Sequence, residues 1–363
     1  MAGLRQQISE YYEKHETRID IAFFLGGFIF DVFTLSQIDD PLAVFQQVAY
    51  LFVIGLILYY EFLASCGVFQ PGPRLQKVWN YRQLVVHFLL GSLLSVYSLF
   101  FLKSASFFSS LIFVLIIMVL MVLNEMKSVQ KSEVNIKIGL YVICVFSFFS
   151  MMVPVILGFV GLFPFLLSVG MTGLFLFGIY SLLRRKVQDQ KVLFKKMVLP
   201  GSVIVTLFLI FYLVGWIPPV PLSVENMGIY HHVEKSNGSY VVSHEKPWWK
   251  FWQTGDQTFR AAPGDKIYFF SSIFSPGRFK DSIFVHWYFY DPKQGWKSTD
   301  RIPMQVTGGR AQGFRGFAIK QNYSAGDWRV SVETTDRREI GRIYFSVEAA
   351  EPNPDRVFQT VSY

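Results

Sequence analysis

The first 216 residues are dominated by apolar runs long enough to cross a hydrocarbon layer as helices, and no such run follows them. A crossing takes about 20 helical residues. Stretches of this kind fall at 19–36, 42–63, 82–102, 105–123, 138–160, 165–183 and 197–216. Seven membrane spans are therefore expected, forming a helical domain over 19–216 behind a polar segment, 1–18. The division between 138–160 and 165–183 is the least marked, because Pro154 interrupts the run and only "GLFP" provides a turn. One span with a re-entrant segment is the alternative there. Composition agrees with a membrane class: 52% of the 363 residues are hydrophobic and 17% are charged, against about a quarter in ordinary soluble proteins.

Orientation follows from the Lys and Arg residues that flank the spans, since cytoplasmic loops carry the excess. With the N-terminus inside, fifteen of these residues, from Arg5 to Lys196, face the cytoplasm, and Lys103 alone lies outside. Everything after Trp216 is then extracytoplasmic. The net charge of +8 is largely this topology signal, so nucleic acid is not an expected partner. The two cysteines, Cys66 and Cys144, form no CxxC and no Cys/His cluster. Neither a disulfide framework nor a metal or other cofactor is expected. The polar N-terminus lacks the apolar core of a cleaved signal, so the first run is read as a retained helix.

Past Leu222 the chain reads as β-structure. Strand-like runs at 239–245, 266–274, 282–290, 302–307, 314–320, 328–334 and 342–348 alternate in side-chain type and are parted by "PGD", "SPG", "DPKQG", "TGG" and "SAGD". Seven short strands at this spacing predict an immunoglobulin-like β-sandwich over 239–350. It follows an exit linker, 217–238, and precedes a tail, 351–363. Trp287, Trp296 and Trp328 are expected in its core, and His231 and His232 in solvent. At the seam, "GWIPPVPLS", Trp216 is expected as an interfacial anchor, while Pro218, Pro219 and Pro221 stop the helix and hold the chain extended.

The pattern "IPPVPLS" followed by "GIYH", together with "GDWRVSVETTDRREIGRIYFSVE" near the C-terminus, resembles a bacterial family known as domain of unknown function 2914. "FFLGGFIFDVFTLSQIDD" is similar to the start of its longer members. The resemblance implies a bacterial polytopic membrane protein with a small extracytoplasmic domain. It brings no activity, cofactor or catalytic residue.

Ionisable groups inside spans are costly and are often functional. Asp31, Gln46 and Gln47 fall in the outer half of the first two spans, where they form a polar pocket or a helix-packing hydrogen bond. Glu61 and His87 lie at the inner ends of neighbouring spans, where a carboxylate–imidazole pair is geometrically open, as is plain interface polarity. "KPWWKFWQ" sets Trp248, Trp249 and Trp252 beside Lys246 and Lys250, a composition suited to a lipid head-group layer, to packing or to a sugar ring. No HExxH, GxSxG or P-loop pattern occurs. The reading leans away from an enzyme. It points to a binding, sensing or scaffolding protein of the bacterial cytoplasmic membrane, with the bilayer and an envelope glycan, lipid or protein as partners. A transporter or membrane-embedded enzyme acting on an ionic or lipid-linked substrate is the alternative.

Overall fold

The computed structural model describes residues 38–106, 110–125, 134–236, 238–277, 279–308, 313–350 and 356–363, which fall into two compact units. The expected first span, 19–36, and the segment 1–18 lie outside the described residues.

The first unit is helical: α1 (Pro41–Ser65), α2 (Pro73–Trp79), α3 (Arg82–Ser104), α4 (Leu111–Glu125), α5 (Val134–Leu157), α6 (Leu162–Arg184) and α7 (Gln190–Val214). Among the described residues five of these, α1, α3, α5, α6 and α7, are long and apolar enough to cross a membrane. The expected span 105–123 is instead the 15-residue α4. It starts late because "SASFFSS" precedes it, and serine favours caps over helix interiors. The run from 138 to 183 resolves into two full-length helices, parted at Gly158 and Gly161, whose φ values are +80° and +139°. Pro154 is accommodated within α5.

Local signals explain the ends. Asp40 caps α1, its carboxylate accepting the Leu42 N–H at 3.1 Å, and Pro41 occupies the first turn where no N–H is needed. The buried side of α1 runs through Gln47, Leu51, Ile54, Leu58, Glu61 and Phe62, the three-and-four spacing of one helix face. In α7 a π turn at Phe194–Val198 precedes Pro200, a proline being unable to donate back to the turn before it. Helix α7 ends at Gly215 (φ +81°), with Gly215 and Trp216 N–H donated to Tyr212 and Phe211 carbonyls at 3.0 and 2.9 Å. This left-handed glycine cap, and not the prolines, terminates the helix. Pro218–Leu222 are not extended either. Val220 and Leu222 N–H return to Pro218 and Pro219 carbonyls at 2.9 and 3.1 Å, and the whole segment is a buried turn.

The second unit holds Pro218–Tyr363 together with the helix connections Lys103–Ser110 and Pro154–Pro164. Its strands are β1 (Ser223–Tyr230), β2 (His232–Ser236), β3 (Ser239–His244), β4 (Thr258–Ala261), β5 (Ile267–Phe274), β6 (Lys280–Asp291), β7 (Gly295–Thr307), β8 (Phe314–Lys320), β9 (Gly326–Glu333), β10 (Glu339–Ala349) and β11 (Gln359–Ser362). A three-stranded sheet, β1-β5-β8, faces a five-stranded one, β4-β10-β9-β6-β7. Ile229, Phe269, Ile283, Val285, Trp287, Val330 and Val332 are fully buried between them. A small sheet, β11-β3-β2, covers the other side of the first, where Phe270 meets Tyr230, Val233 and Val242. "YFFSSI" in β5 is buried on both faces for that reason. The domain is a β-sandwich with an added layer. β1 and β2 occupy the expected linker and β11 the expected tail. β1 breaks alternation with a bulge between Val224 and Asn226, and β11 is four exposed residues, so neither carries a strong period-two signal.

Candidate functional site

The outward face of the five-stranded sheet is built by alternation. Along β6, Ile283, Val285 and Trp287 point into the core, so Phe284, His286, Tyr288 and Tyr290 point out. The ladder sets Trp296, Ser298 and Arg301 of β7 opposite Tyr290, Tyr288 and His286, and sets Glu333, Ser331 and Arg329 of β9 opposite Phe284, His286 and Tyr288. A bulge between Trp287 and Tyr288 leaves Thr299 as the extra residue of β7. This re-aims the strand, and brings Ser298 onto the outer face and Trp296 with it. Trp287 and Trp328 are in the core as expected; Trp296 is not, and its ring lies 5.2 Å from Tyr290 and 5.5 Å from Tyr344.

Three arginines lie over this aromatic floor. The Arg301 guanidinium sits 3.5 Å above the Phe284 ring, Arg329 3.8 Å from Tyr288 and 5.2 Å from Trp296, and Arg342 5.9 Å from Tyr344. Guanidinium planes over rings keep their charge while giving up water. Between them runs a polar line: the His286 imidazole bonds Ser298 Oγ through Nε2 at 2.7 Å and both Glu333 oxygens through Nδ1 at 3.2 Å. Tyr288 also donates to Glu333 at 3.1 Å. Burial, and then the Glu333 charge, raise the Tyr288 phenol above its ordinary value, so it stays a donor. Ser298–His286–Glu333 has the order of a nucleophile, base and acid. Ser298, however, stands on an edge strand, where backbone N–H groups lie in the plane of the sheet instead of converging on a bound carbonyl as acyl transfer needs. The line reads as a cross-strand clasp. Its signal in the sequence was the alternation of "SIFVHWYFY"; the partners on β7 and β9 depend on register.

The predicted site residues are dispersed. Asp31 lies outside the described residues. Gln46 is exposed and donates to Tyr50 at 2.9 Å, while Gln47 is buried on the inner side of α1. Glu61 is fourteen residues further along the same helix, about 21 Å at 1.5 Å per residue, so it belongs to a separate site. Its partner is Lys137, wholly buried, with Nζ to Oε1 at 2.9 Å; Arg82 Nε stands 3.8 Å away. Lys137, read from the sequence as a loop cation, is thus inside α5. His87 is buried on α3. An apolar groove of about 530 Å³ opens beside α1, α5 and α6, with the Tyr141 hydroxyl held by the Leu51 carbonyl at 2.9 Å. Trp248, Trp249 and Trp252 stand on an exposed loop.

A second constellation was missed. His231, expected in solvent, is 6% exposed and stacks on Phe259 at 4.0 Å. Asp256, Glu245 and Asp265 lie 3.6, 3.7 and 3.8 Å from it. Arg356 donates to Glu245 at 2.6 Å and to Asp265 at 2.7 Å, tying down the C-terminal segment. His232, by contrast, is exposed. Burial, then Arg356, lower the His231 pKa to about 4; burial raises that of Asp256 to about 6. Their effects on stability oppose. Below pH 6.5 the unfolded His231 takes a proton the folded one refuses, so acidification to pH 4 destabilises. The folded Asp256 takes a proton near pH 6 that the unfolded one takes only near 3.8, so the same change stabilises. Asp256→Asn should therefore make the midpoint of thermal unfolding fall between pH 6.5 and 4, and His231→Gln should make it rise. Parallel pH profiles for wild type and both variants would refute this.

Residues 280–347 match the model of the family described as "Protein of unknown function (DUF2914)". The match confirms the resemblance read from the C-terminal pattern and spans β6 to β10, hence all the outer-face residues just described. No curated protein matches the chain. Among solved structures, an immunoglobulin-like protein from Pseudomonas aeruginosa is similar at 13% identity over 36% of this chain and 98% of that one, with a TM-score of 0.21. A β-glucosidase from Kluyveromyces marxianus is similar at 9% identity over 41% and 16%, TM-score 0.18. An alkylpurine DNA glycosylase from Pseudomonas fluorescens is similar at 8% over 86% and 99%, TM-score 0.19. These TM-scores are too low for a shared function to follow.

Proposed function

We propose that the protein is a non-enzymatic recognition protein of the bacterial cytoplasmic membrane. Its β-sandwich is displayed outside the cytoplasm and binds an acidic envelope glycan on the outer face of the five-stranded sheet. The observation that carries this reading is the pair of arginines, Arg301 and Arg329, over an aromatic floor within the family-matched segment, on a face that none of the other sheets covers; Arg342 beside them is already paired with Glu339. Aromatic rings give flat apolar platforms for sugar rings, and guanidinium forks pair with carboxylate or phosphate groups. The Lys and Arg bias supports the orientation. So does the membership of the β-rich unit: connections 103–110 and 154–164, together with the chain after Ile217, follow α3, α5 and α7. If α4 crosses, these three lie on one side. Its 15 residues reach about 22 Å.

Full-length protein in lipid nanodiscs is expected to bind acidic glycan fragments in a calorimetric titration. Arg329→Ala combined with Trp296→Ala should weaken that binding by about ten-fold or more, the size of a lost hot-spot pair. Glu61→Gln should leave it unchanged. A second reading, transport, is favoured by the buried Glu61–Lys137 pair, since intramembrane ion pairs often mark pathways. Loss of complementation of a gene deletion by the Lys137→Met/Glu61→Leu double variant, which removes the pair without leaving a buried charge unpaired, with Arg329→Ala/Trp296→Ala fully active, would favour transport and overturn the recognition reading.

A further inference from the structure

The loop between β3 and β4 carries the largest exposed apolar side chains of the sandwich: Trp248 is 81% exposed, Trp249 51%, Phe251 84% and Trp252 62%. Scattered exposed apolar residues need no explanation, but four large aromatics on one short loop do. Three of them contact one another, with Trp249 and Trp252 centroids 6.0 Å apart and Phe251 edge-on to Trp252 at 5.2 Å. The loop is built rather than loose. Lys246 Nζ donates to the Gln253 carbonyl at 2.5 Å across its base, Lys250 and Gln253 N–H close successive turns onto Pro247 and Lys250, and the Asp256 carboxylate accepts the Glu245 N–H at 3.0 Å. Between Lys246 and Gln253 there is no carboxylate, so the loop carries Lys246 at its base, Lys250 at its tip and no opposing charge within the segment. Lys250 lies 5.3 Å from the Trp249 ring.

We infer that this loop inserts into the outer-leaflet head-group layer of the bilayer that holds the protein's own helices. Indole rings with lysines at their flanks partition to that layer, where ring faces meet acyl chains and N–H and ammonium groups meet phosphates. The lysines add attraction to anionic lipids. A glycan platform would place hydrogen-bonding side chains around the rings; along the loop itself the neighbours are the two lysines, Pro247 and Gln253, and of the four aromatics Trp252 alone lines a polar cleft, with Asn226, Gln257 and Arg342. The inference stands apart from glycan recognition by the sheet face. Insertion would hold the sandwich at the membrane surface through a second attachment besides its helix connections.

The test uses full-length protein, one copy per nanodisc so that only its own bilayer is available. With Cys66→Ser in place, Phe251→Cys labelled with an environment-sensitive fluorophore is compared with Gln294→Cys on the β6–β7 hairpin, an exposed turn without aromatics of its own. Bromine-bearing lipids should quench the label at 251 about two-fold or more and leave that at 294 nearly unchanged. Unlabelled Trp248→Ser/Trp249→Ser/Trp252→Ser protein should remain folded by its circular dichroism and lose the lipid-dependent protection of the Lys246–Gln253 loop from protease. Equal quenching at 251 and 294, or a response at 251 to soluble oligosaccharides but not to lipid, would overturn the inference. Binding of glycan by the sheet face is read separately, through Arg329→Ala/Trp296→Ala, so either can fail alone.

Discussion

Replacing Lys137 with methionine is expected to cost about 3–5 kcal/mol of stability, the usual consequence of removing one member of a buried ion pair. Lys137 is wholly buried and bonds Glu61 at 2.9 Å, while Glu61 Oε2 has no hydrogen-bond partner among the described residues. Arg82, at 3.8 Å and partly exposed, offsets some of the loss, which favours the lower end of that range. The damage comes from the carboxylate left behind, not from the missing ammonium. Lys137→Met combined with Glu61→Leu should therefore recover most of it, because a dry, well-packed pair has no desolvation penalty to overcome. Unfolding in detergent by a graded denaturant checks both. A double variant no more stable than the single would mean that the pair contributes through packing or through a third group.

Trp287→Ala is expected to destabilise the sandwich by about 3–5 kcal/mol, the range for deleting a large buried aromatic. Trp287 is fully buried, edge-on to both Phe269 and Phe345 at 6.3 Å, so it touches both facing sheets. Its indole N–H has no partner among the described residues. Trp287→Phe should consequently cost far less, roughly 1 kcal/mol, since it keeps most of the ring contact and removes an unsatisfied donor. Thermal unfolding followed by near-ultraviolet circular dichroism separates the two. Equal losses for Phe and Ala would show that the orphan N–H had found a bond after all, as a buried water can supply.

Much of the fold was legible because its signals are local. The helices of the first unit follow from apolar length and from punctuation by Gly, Pro and Asp40; strands β3 and β5 to β10 follow from alternation. Where the reading failed, a second, weaker signal overrode the first. Serines trimmed the expected span at 105 to the shorter α4, and Gly215 ended α7 before the prolines could. Strands β1, β2 and β11 pair without a clean period and were read as linker and tail. The site was less legible. His231 sits beside an exposed histidine of identical type, and nothing in "YHH" says which one the fold will bury under Phe259 and Arg356, from positions 28 and 125 residues away.

From the sequence alone it follows that the chain has a membrane half and a β half, where the border falls, and which segments carry the family pattern. Length, composition and period are properties of neighbours along the chain, so they survive without knowledge of folding. Pairing does not. That Lys137 meets Glu61, that a one-residue bulge at Thr299 turns Ser298 and Trp296 outward, and that Arg301 and Arg329 settle on rings from other strands were decided only by register and packing. A shift of one residue in any of those strands would send each side chain to the opposite face.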